Sequence, residues 1–318
     1  VSRNDWKPTA SLENLKLRAN LYQKIRTFFS QRDVLEVETP LLCQHTVTDP
    51  HIESFSVPVH QQKNYFLQTS PEYAMKRLLA SGSGSIYQIT KSFRLGESGR
   101  QHNPEFTMLE WYRTGFTHHN LMDEINDFLQ VILNTQQAEK ISYQALFLKY
   151  LSIDPLNCEL SALKKIMHEK NICVDATDLD HDTCLQLLLS HLIEPSLGVE
   201  KPLFLYDFPV TQAALSKIRQ DASPVAERFE LYINGAEMAN GFHELTDAAE
   251  QTVRFEKNQL TRKNNQQYIP PIDHFFIDAL KAGMPACSGV AIGLDRLLMQ
   301  YAKTNTIQDV ISFPFDRA

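Results

Sequence analysis

An Asn-Gly pair at 234 and 235, set between the runs RFELYI and AEMANGF, constrains this chain more than any other feature. Both residues tolerate positive φ, which a two-residue reversal between antiparallel strands demands, so the pair predicts a tight hairpin. Counting outward gives the register: Ile233 opposite Ala236, Tyr232 opposite Glu237, Glu230 opposite Ala239. Glu230 and Glu237 then lie diagonally on one face, where two carboxylates suit a magnesium ion held against phosphate oxygens. Two ordinary glutamates on a solvent face fit the same pattern, and the hairpin alone leaves both readings open. Just downstream, Asn240 and Glu244 offer oxygens that accept charge-assisted hydrogen bonds from an ammonium.

A second hairpin with a long loop is predicted upstream. SGSGS at 81 to 85 reads as a turn before a strand over 86 to 93, and PEFTMLEWY after Asn103 alternates as a strand does. Phe106, Met108, Glu110 and Tyr112 share one face, and Thr107, Leu109 and Trp111 the other. The loop from Gly96 to Asn103 carries the candidate nucleotide contacts. Arg94, at a strand end, presents a planar, permanently charged fork that matches α-phosphate oxygens, and Phe106 can stack on adenine. A third segment, SGVAIGLDRLLM at 288 to 299, places small residues before an apolar helix, with Arg296 where a helix start already favours anions such as a γ-phosphate.

The 318 residues suffice for a large core, and 43% hydrophobic with 22% charged residues is ordinary for a globular enzyme. A net charge of −7 excludes a broad nucleic-acid footprint. Five scattered cysteines (Cys43, Cys158, Cys173, Cys184, Cys287) form no C-x-x-C pair and suit a reducing cytosol. No apolar run approaches the roughly 20 residues that span a bilayer, so a soluble, cytoplasmic protein without membrane contact is expected. Leu17, Leu21, Ile25, Phe28 and Phe29 recur at helical spacing, and an edge or interface strand is expected from Val34 to Thr39, ended by Pro40. Residues 65 to 69 read as a strand, and Pro71 to Ala80 as a helix after Ser70. The stretch from Leu121 to about Pro195 reads as helical, and TRKNNQQ at 261 to 267 as a solvated loop.

Together these segments resemble the catalytic domain of class II aminoacyl-tRNA synthetases, and within them the lysyl-tRNA synthetases, over nearly the whole chain. The first helix, strand and Pro40 resemble the family's first motif, Phe93 to Tyr112 its second, and Gly289 to Leu298 its third; RQHNPEFTMLEWY, EMANGFHEL and TIQDVISFPF are lysine-type wording. The resemblance implies an α+β fold, an antiparallel sheet flanked by helices, as a single catalytic domain over 1–318 with a helical insertion at about 121–200. It also implies a homodimer through the Pro40 region. ATP and Mg²⁺ are its implied requirements. Arg94 would bind the α-phosphate, His102 the outer phosphates, Asn103 and Phe106 the adenine, and Arg296 the γ-phosphate, with Gly96, Glu97, Met238 and Gly293 also at the nucleotide. Glu230 and Glu237 would hold magnesium. Ser70, Pro71, Glu72, Tyr112, Asn240, Glu244 and Ala291 would surround a lysine-like substrate.

Three departures narrow the expectation. The first-motif helix begins near Leu12, so no anticodon-binding barrel and no tRNA anticodon recognition are expected. This resembles the truncated bacterial paralogues that attach (R)-β-lysine to a lysine side chain of elongation factor P. TSPEY at 69 to 73 matches their wording, with Ser70 where synthetases usually carry alanine and Ala291 where they usually carry glycine. One small side chain can accommodate an amino group moved by one carbon, although Ser70 also suits a plain helix cap. Finally, the second motif normally reads Arg-x-Glu, whereas Gly96 holds the glutamate's slot and Glu97 follows. Either Glu97 substitutes or one nucleotide contact is lost. The rival readings are a stand-alone lysyl transferase acting on tRNA or another amine, an aspartate-type amide ligase, and a regulatory binding protein that has lost the chemistry.

Overall fold

The computed structural model describes residues 6–59, 63–172 and 179–318. Along the chain, helix α1 (Leu12–Ser30) starts at Ser11, whose hydroxyl accepts the Asn14 N–H. Strands β1 (Leu35–Glu36), β2 (Leu42–Cys43), β3 (Ser56–Val59) and β4 (Lys63–Leu67), helix α2 (Glu72–Ala80), and strands β5 (Ile86–Phe93) and β6 (Glu105–Thr114) follow. Next come α3 (His118–Leu133), β7 (Glu139–Ser142), α4 (Tyr143–Leu151), α5 (Leu160–Glu169), α6 (His181–Leu188), β8 (Leu203–Pro209), β9 (Ile218–Arg219), β10 (Val225–Ile233) and β11 (Ala236–His243). The chain closes with α7 (Ala248–Asn264), α8 (His274–Gly283), β12 (Cys287–Gly293) and α9 (Leu294–Ala302). The architecture is mixed α+β with mainly antiparallel strands, as expected. Two compact units form, one from Val1–Phe116, Val131–Leu133 and Thr246–Ala318, the other from Thr117–Gln130 and Asn134–Leu245.

In the first unit the strands run β1-β5-β6-β12, with β1 parallel to β5 and the rest antiparallel, and β2-β4-β3 form a small separate sheet. The predicted helical stripe buries Leu21, Ile25, Phe28 and Phe29, and Phe29 stacks on Tyr87 of β5 at 4.3 Å and meets Trp111 of β6 edge-on at 5.3 Å. This aromatic contact fixes the first helix on the sheet. The strand expected from Val34 to Thr39 is shorter: pairing covers only Leu35 and Glu36, and Thr39 is drawn instead to the Gln88 side chain at 2.9 Å. On the other side, Tyr73 of α2 stacks on Phe276 of α8 at 4.7 Å, joining helices that lie far apart in sequence.

The expected solvated loop at 261 to 267 is a correction. Residues 261 to 264 complete α7, and Arg262 is buried. Its guanidinium donates to the carbonyls of Thr48, Asp49, Ile52 and Tyr268 and to Glu53, closing the 48–53 segment onto the helix. A polar run misleads here because a buried arginine with five donors can satisfy a whole loop's carbonyls.

The second unit pairs its strands in the order β11-β10-β8-β7, with β9 on β10. The stretch expected to be helical contains α3 to α6 but also the strand β7, which runs parallel to β8. Helices α4, α5 and α6 bury Tyr143, Phe147, Leu163, Leu185 and Leu188 against Leu205, Phe208 and Tyr232 of the strands. Cys173 lies outside the described residues; Cys43, Cys158, Cys184 and Cys287 are not in disulfides. Among the described residues no helix is long and apolar enough to cross a membrane.

Candidate active site

The long-looped hairpin of the first unit forms as its alternation predicts. Phe93 pairs with Glu105, and the Arg94 N–H donates to the Pro104 carbonyl at 2.9 Å, so the loop leaves the sheet at Arg94. Gly96 sits at φ 85°, a conformation that penalises any side chain, which gives this glycine a backbone reason. The turn it makes brings Glu97 within 3.5 Å of the Arg94 guanidinium, whose centre lies 5.2 Å from the Phe106 ring. Glu97, His102, Asn103, Phe106, Gly293 and Arg296 line one pocket, with Gln101, Asp295 and Ile307. Residues placed far apart in sequence by the second and third motifs thus share one cavity.

His102 and Arg296 meet there at 3.3 Å, Nε2 to Nη2. A guanidinium only donates, so Nε2 accepts and the imidazole proton is assigned to Nδ1. Burial, and then the charge of Arg296, holds the His102 imidazole below its usual range. Burial and a neighbouring guanidinium thus both favour the neutral form of this histidine. Asn103 is already engaged by the protein: its Nδ2 donates to the Glu105 carbonyl at 2.6 Å and its Oδ1 accepts the Phe315 N–H at 2.9 Å. It ties the loop to the C-terminal segment.

Asp295 is a functional residue that the sequence reading passed over. It is buried, accepts the Thr107 backbone N–H at 2.6 Å and pairs with Arg18 at 2.5 Å. One carboxylate thereby locks the start of α9 to β6 and α1, which aims Arg296. Its signal was the acidic residue in a helix first turn, but the partners at 18 and 107 are invisible to local patterning.

The residues expected around a lysine-like substrate divide between the units. In the first, Gln88, Glu110 and Ala291 lie side by side on β5, β6 and β12. Tyr112 projects from the same face and donates to Glu110 Oε1 at 2.6 Å. The Ala291 methyl therefore stands beside a buried carboxylate. Ser70 Oγ accepts the Glu72 N–H at 3.3 Å, but the N-cap position of α2 is Pro71, so Ser70 stands one residue outside the expected cap. Glu72 Oε1 accepts from Lys76 at 2.6 Å, an i, i+4 pair whose spacing is visible in sequence but whose burial, with Lys76 1% exposed, is not.

In the second unit the Asn-Gly turn is as predicted, with Asn234 at φ 52° and Gly235 at φ 70°. The register beyond it is not. Tyr232 faces Glu237 but Leu231 faces Ala239, so Met238 is an extra residue on β11 and Glu230 faces Asn240 rather than Ala239. Such a bulge puts Glu237 and Asn240 on one face, which their odd spacing would otherwise forbid. Glu230 Oε1 accepts from Arg228 at 2.5 Å and Oε2 from the Tyr232 hydroxyl at 2.6 Å. Glu194 lies 3.1 Å from the same hydroxyl, and burial, then the Glu230 charge, pushes its carboxyl up against the opposing hydrogen bond from Tyr232. Asn240 Oδ1 is buried and has no hydrogen-bond partner among the described residues. Glu244 is buried at the bridge to Ser216.

A sequence profile of the family described as tRNA synthetases class II (D, K and N) matches residues 4–317. The chain belongs to that family. For a class II synthetase domain the implied chemistry is ATP-dependent aminoacyl activation, and the family generally uses ATP and Mg²⁺. The residues present fit such an ion: among the described residues the carboxylates Glu194, Glu230 and Glu237 all act on Tyr232, with Arg228 paired to Glu230. A divalent cation takes such oxygen donors, and magnesium needs only one or two protein carboxylates when phosphates complete its shell.

Proposed function

We propose that this class II synthetase activates (R)-β-lysine with ATP and transfers the acyl group to a lysine side chain of elongation factor P. The observation that carries the lysine-like part is Asn240, whose buried oxygen awaits a donor that a substrate ammonium supplies. Glu244, in the same unit, adds the charge that an ammonium requires. Ser70 and Ala291 support the β isomer: each adds a small group where lysyl-tRNA synthetases usually have less, and the Ala291 methyl stands beside Glu110.

In the first step a substrate carboxylate oxygen attacks the α-phosphorus of ATP and the bond to pyrophosphate breaks. No proton moves, so catalysis rests on alignment and on charge taken up by Arg94 and Arg296. Magnesium, when bound, neutralises phosphate oxygens, and Glu230 and Glu237 would hold it. Phe106 would carry the adenine ring and His102 would face the outer phosphates. In the second step the acceptor amine attacks the acyl carbon, loses a proton, and AMP leaves.

The proposed assembly is a homodimer through the Pro40 region. Leu35, Leu41 and Leu42 are 57%, 40% and 45% exposed around that proline, an apolar strip that a second copy would cover. A double Leu41→Asp, Leu42→Asp variant is expected to sediment as a monomer; an unchanged dimer would place the interface elsewhere.

Intact-mass analysis of elongation factor P after incubation with this protein, ATP and each lysine isomer tests substrate and acceptor together. A single β-lysyl increment, weaker with α-lysine, is expected. Loading of tRNA with no change in elongation factor P would overturn the acceptor.

A further inference from the structure

The second unit holds a cluster that no step of the proposed reaction uses. His118 opens α3, Asp207 lies on β8, Glu227 on β10 and His243 at the end of β11. One ligand atom each from His118, Glu227 and His243 lie within 4.8 Å of one another. His118 is 1% exposed and Glu227 9%. Neither ring nitrogen of His118 has a hydrogen-bond partner among the described residues, although Nε2 stands 3.4 Å from Asp207 Oδ1. A buried imidazole nitrogen without a partner is costly: Nε2 has a carboxylate at 3.4 Å, but Nδ1 has lost water and gained nothing.

The surroundings are built rather than incidental. His243 Nδ1 meets Glu227 Oε2 at 2.6 Å. Arg219 bonds Asp207 at 3.2 and 2.7 Å and reaches Glu227 at 3.5 Å, fixing both carboxylates from outside. Pairing of β10 with β8 shifts between Ala226 and Phe229, a bulge beside Glu227, and Asp207 sits at φ 59° within its strand. Bulges and left-handed residues of this kind re-aim side chains at sites.

We propose that His118, Glu227 and His243 form a binding site for one divalent transition-metal ion of the zinc class. Two imidazoles and one carboxylate are the donor set such ions take, with a fourth position left to water or a further ligand. The 2.6 Å hydrogen bond between His243 and Glu227 is what the ion replaces; two atoms each about 2.0–2.2 Å from zinc stand farther apart than that, so the pair opens slightly. Asp207 serves as the outer carboxylate of His118, one ring nitrogen donating to it while the other binds the ion. The site needs no cysteine and does not depend on the substrate of the ligase reaction.

The test uses the full chain, stripped with chelator and titrated with Zn²⁺ alone and with Co²⁺ alone. One equivalent is expected to bind, and the Co²⁺ complex to show d–d absorption without a thiolate charge-transfer band. His118→Ala, Glu227→Gln and His243→Gln are each expected to weaken binding by at least about tenfold. Because His118→Ala removes a buried ring, the more exposed His243→Gln gives the same reading in a variant that keeps its circular dichroism. No bound metal, a thiolate band, or unchanged affinity in a folded His243→Gln variant would each overturn the site.

Discussion

The hairpins over 86–114 and 225–243 reach their functional side chains by opposite means. The first keeps a regular ladder from Ile86–Tyr112 to Phe93–Glu105 and lets an irregular loop carry Glu97 and His102 to Arg296. The second has a two-residue turn and hides its irregularity inside the ladder, at Met238. A regular strand displays side chains at period two, so chemistry that needs another spacing must come from a loop or a bulge. The lesson is that loops advertise themselves in sequence and bulges do not.

Deleting Met238 breaks this comparison most severely. Without the extra residue Glu237 or Asn240 must turn to the opposite face, and ATP–pyrophosphate exchange is expected to vanish. Met238→Ala keeps the register, costs about 2–4 kcal/mol of stability in urea unfolding, and leaves measurable exchange. Equal activity in both variants would mean that the bulge places nothing. On the loop side, Arg296→Ala is expected to lower exchange by about 10²–10³ with an unchanged unfolding midpoint, since it removes charge from a pocket rather than a core contact. Normal exchange in that variant refutes its phosphate role.

Gly235→Ala addresses the tight turn itself. The position has φ 70° and a Cβ there would lie 3.0 Å from the Pro195 carbonyl, so a loss of about 1–2 kcal/mol in urea unfolding is expected. No loss would mean that the turn relaxes freely. The smallest effect concerns His102. Its folded imidazole titrates below the ordinary value, so the unfolded chain binds the proton first; stability tied to this group is present above the ordinary imidazole range and falls as pH drops below it. His102→Gln should flatten that acid limb slightly. In NMR titration ATP should move the His102 imidazole upward, and no movement would place the phosphates elsewhere.

Much of this was legible in the chain. Alternation gave the faces of β6, helical spacing gave the buried stripe of α1, and Asn234-Gly235 gave the turn, because each depends on nearest neighbours. The motif wording brought Glu97, His102, Phe106 and Arg296 to one pocket, where the structure places them. What escaped was long-range. Asp295 finds Arg18 and Thr107, Arg262 finds the carbonyls of 48–52, and His118 finds Glu227 and His243, all across separations that no local period records. The bulge escaped for a related reason: the unpaired Met238 is known only from the partner strand it fails to face.

The acid this domain activates decides its place among class II synthetases. ATP–pyrophosphate exchange measured with (R)-β-lysine, α-lysine, aspartate and asparagine in turn is the most direct test. The prediction is exchange with (R)-β-lysine, lower kcat/KM with α-lysine and none with the other two. Exchange driven by aspartate or asparagine, or none with either lysine isomer, would contradict it.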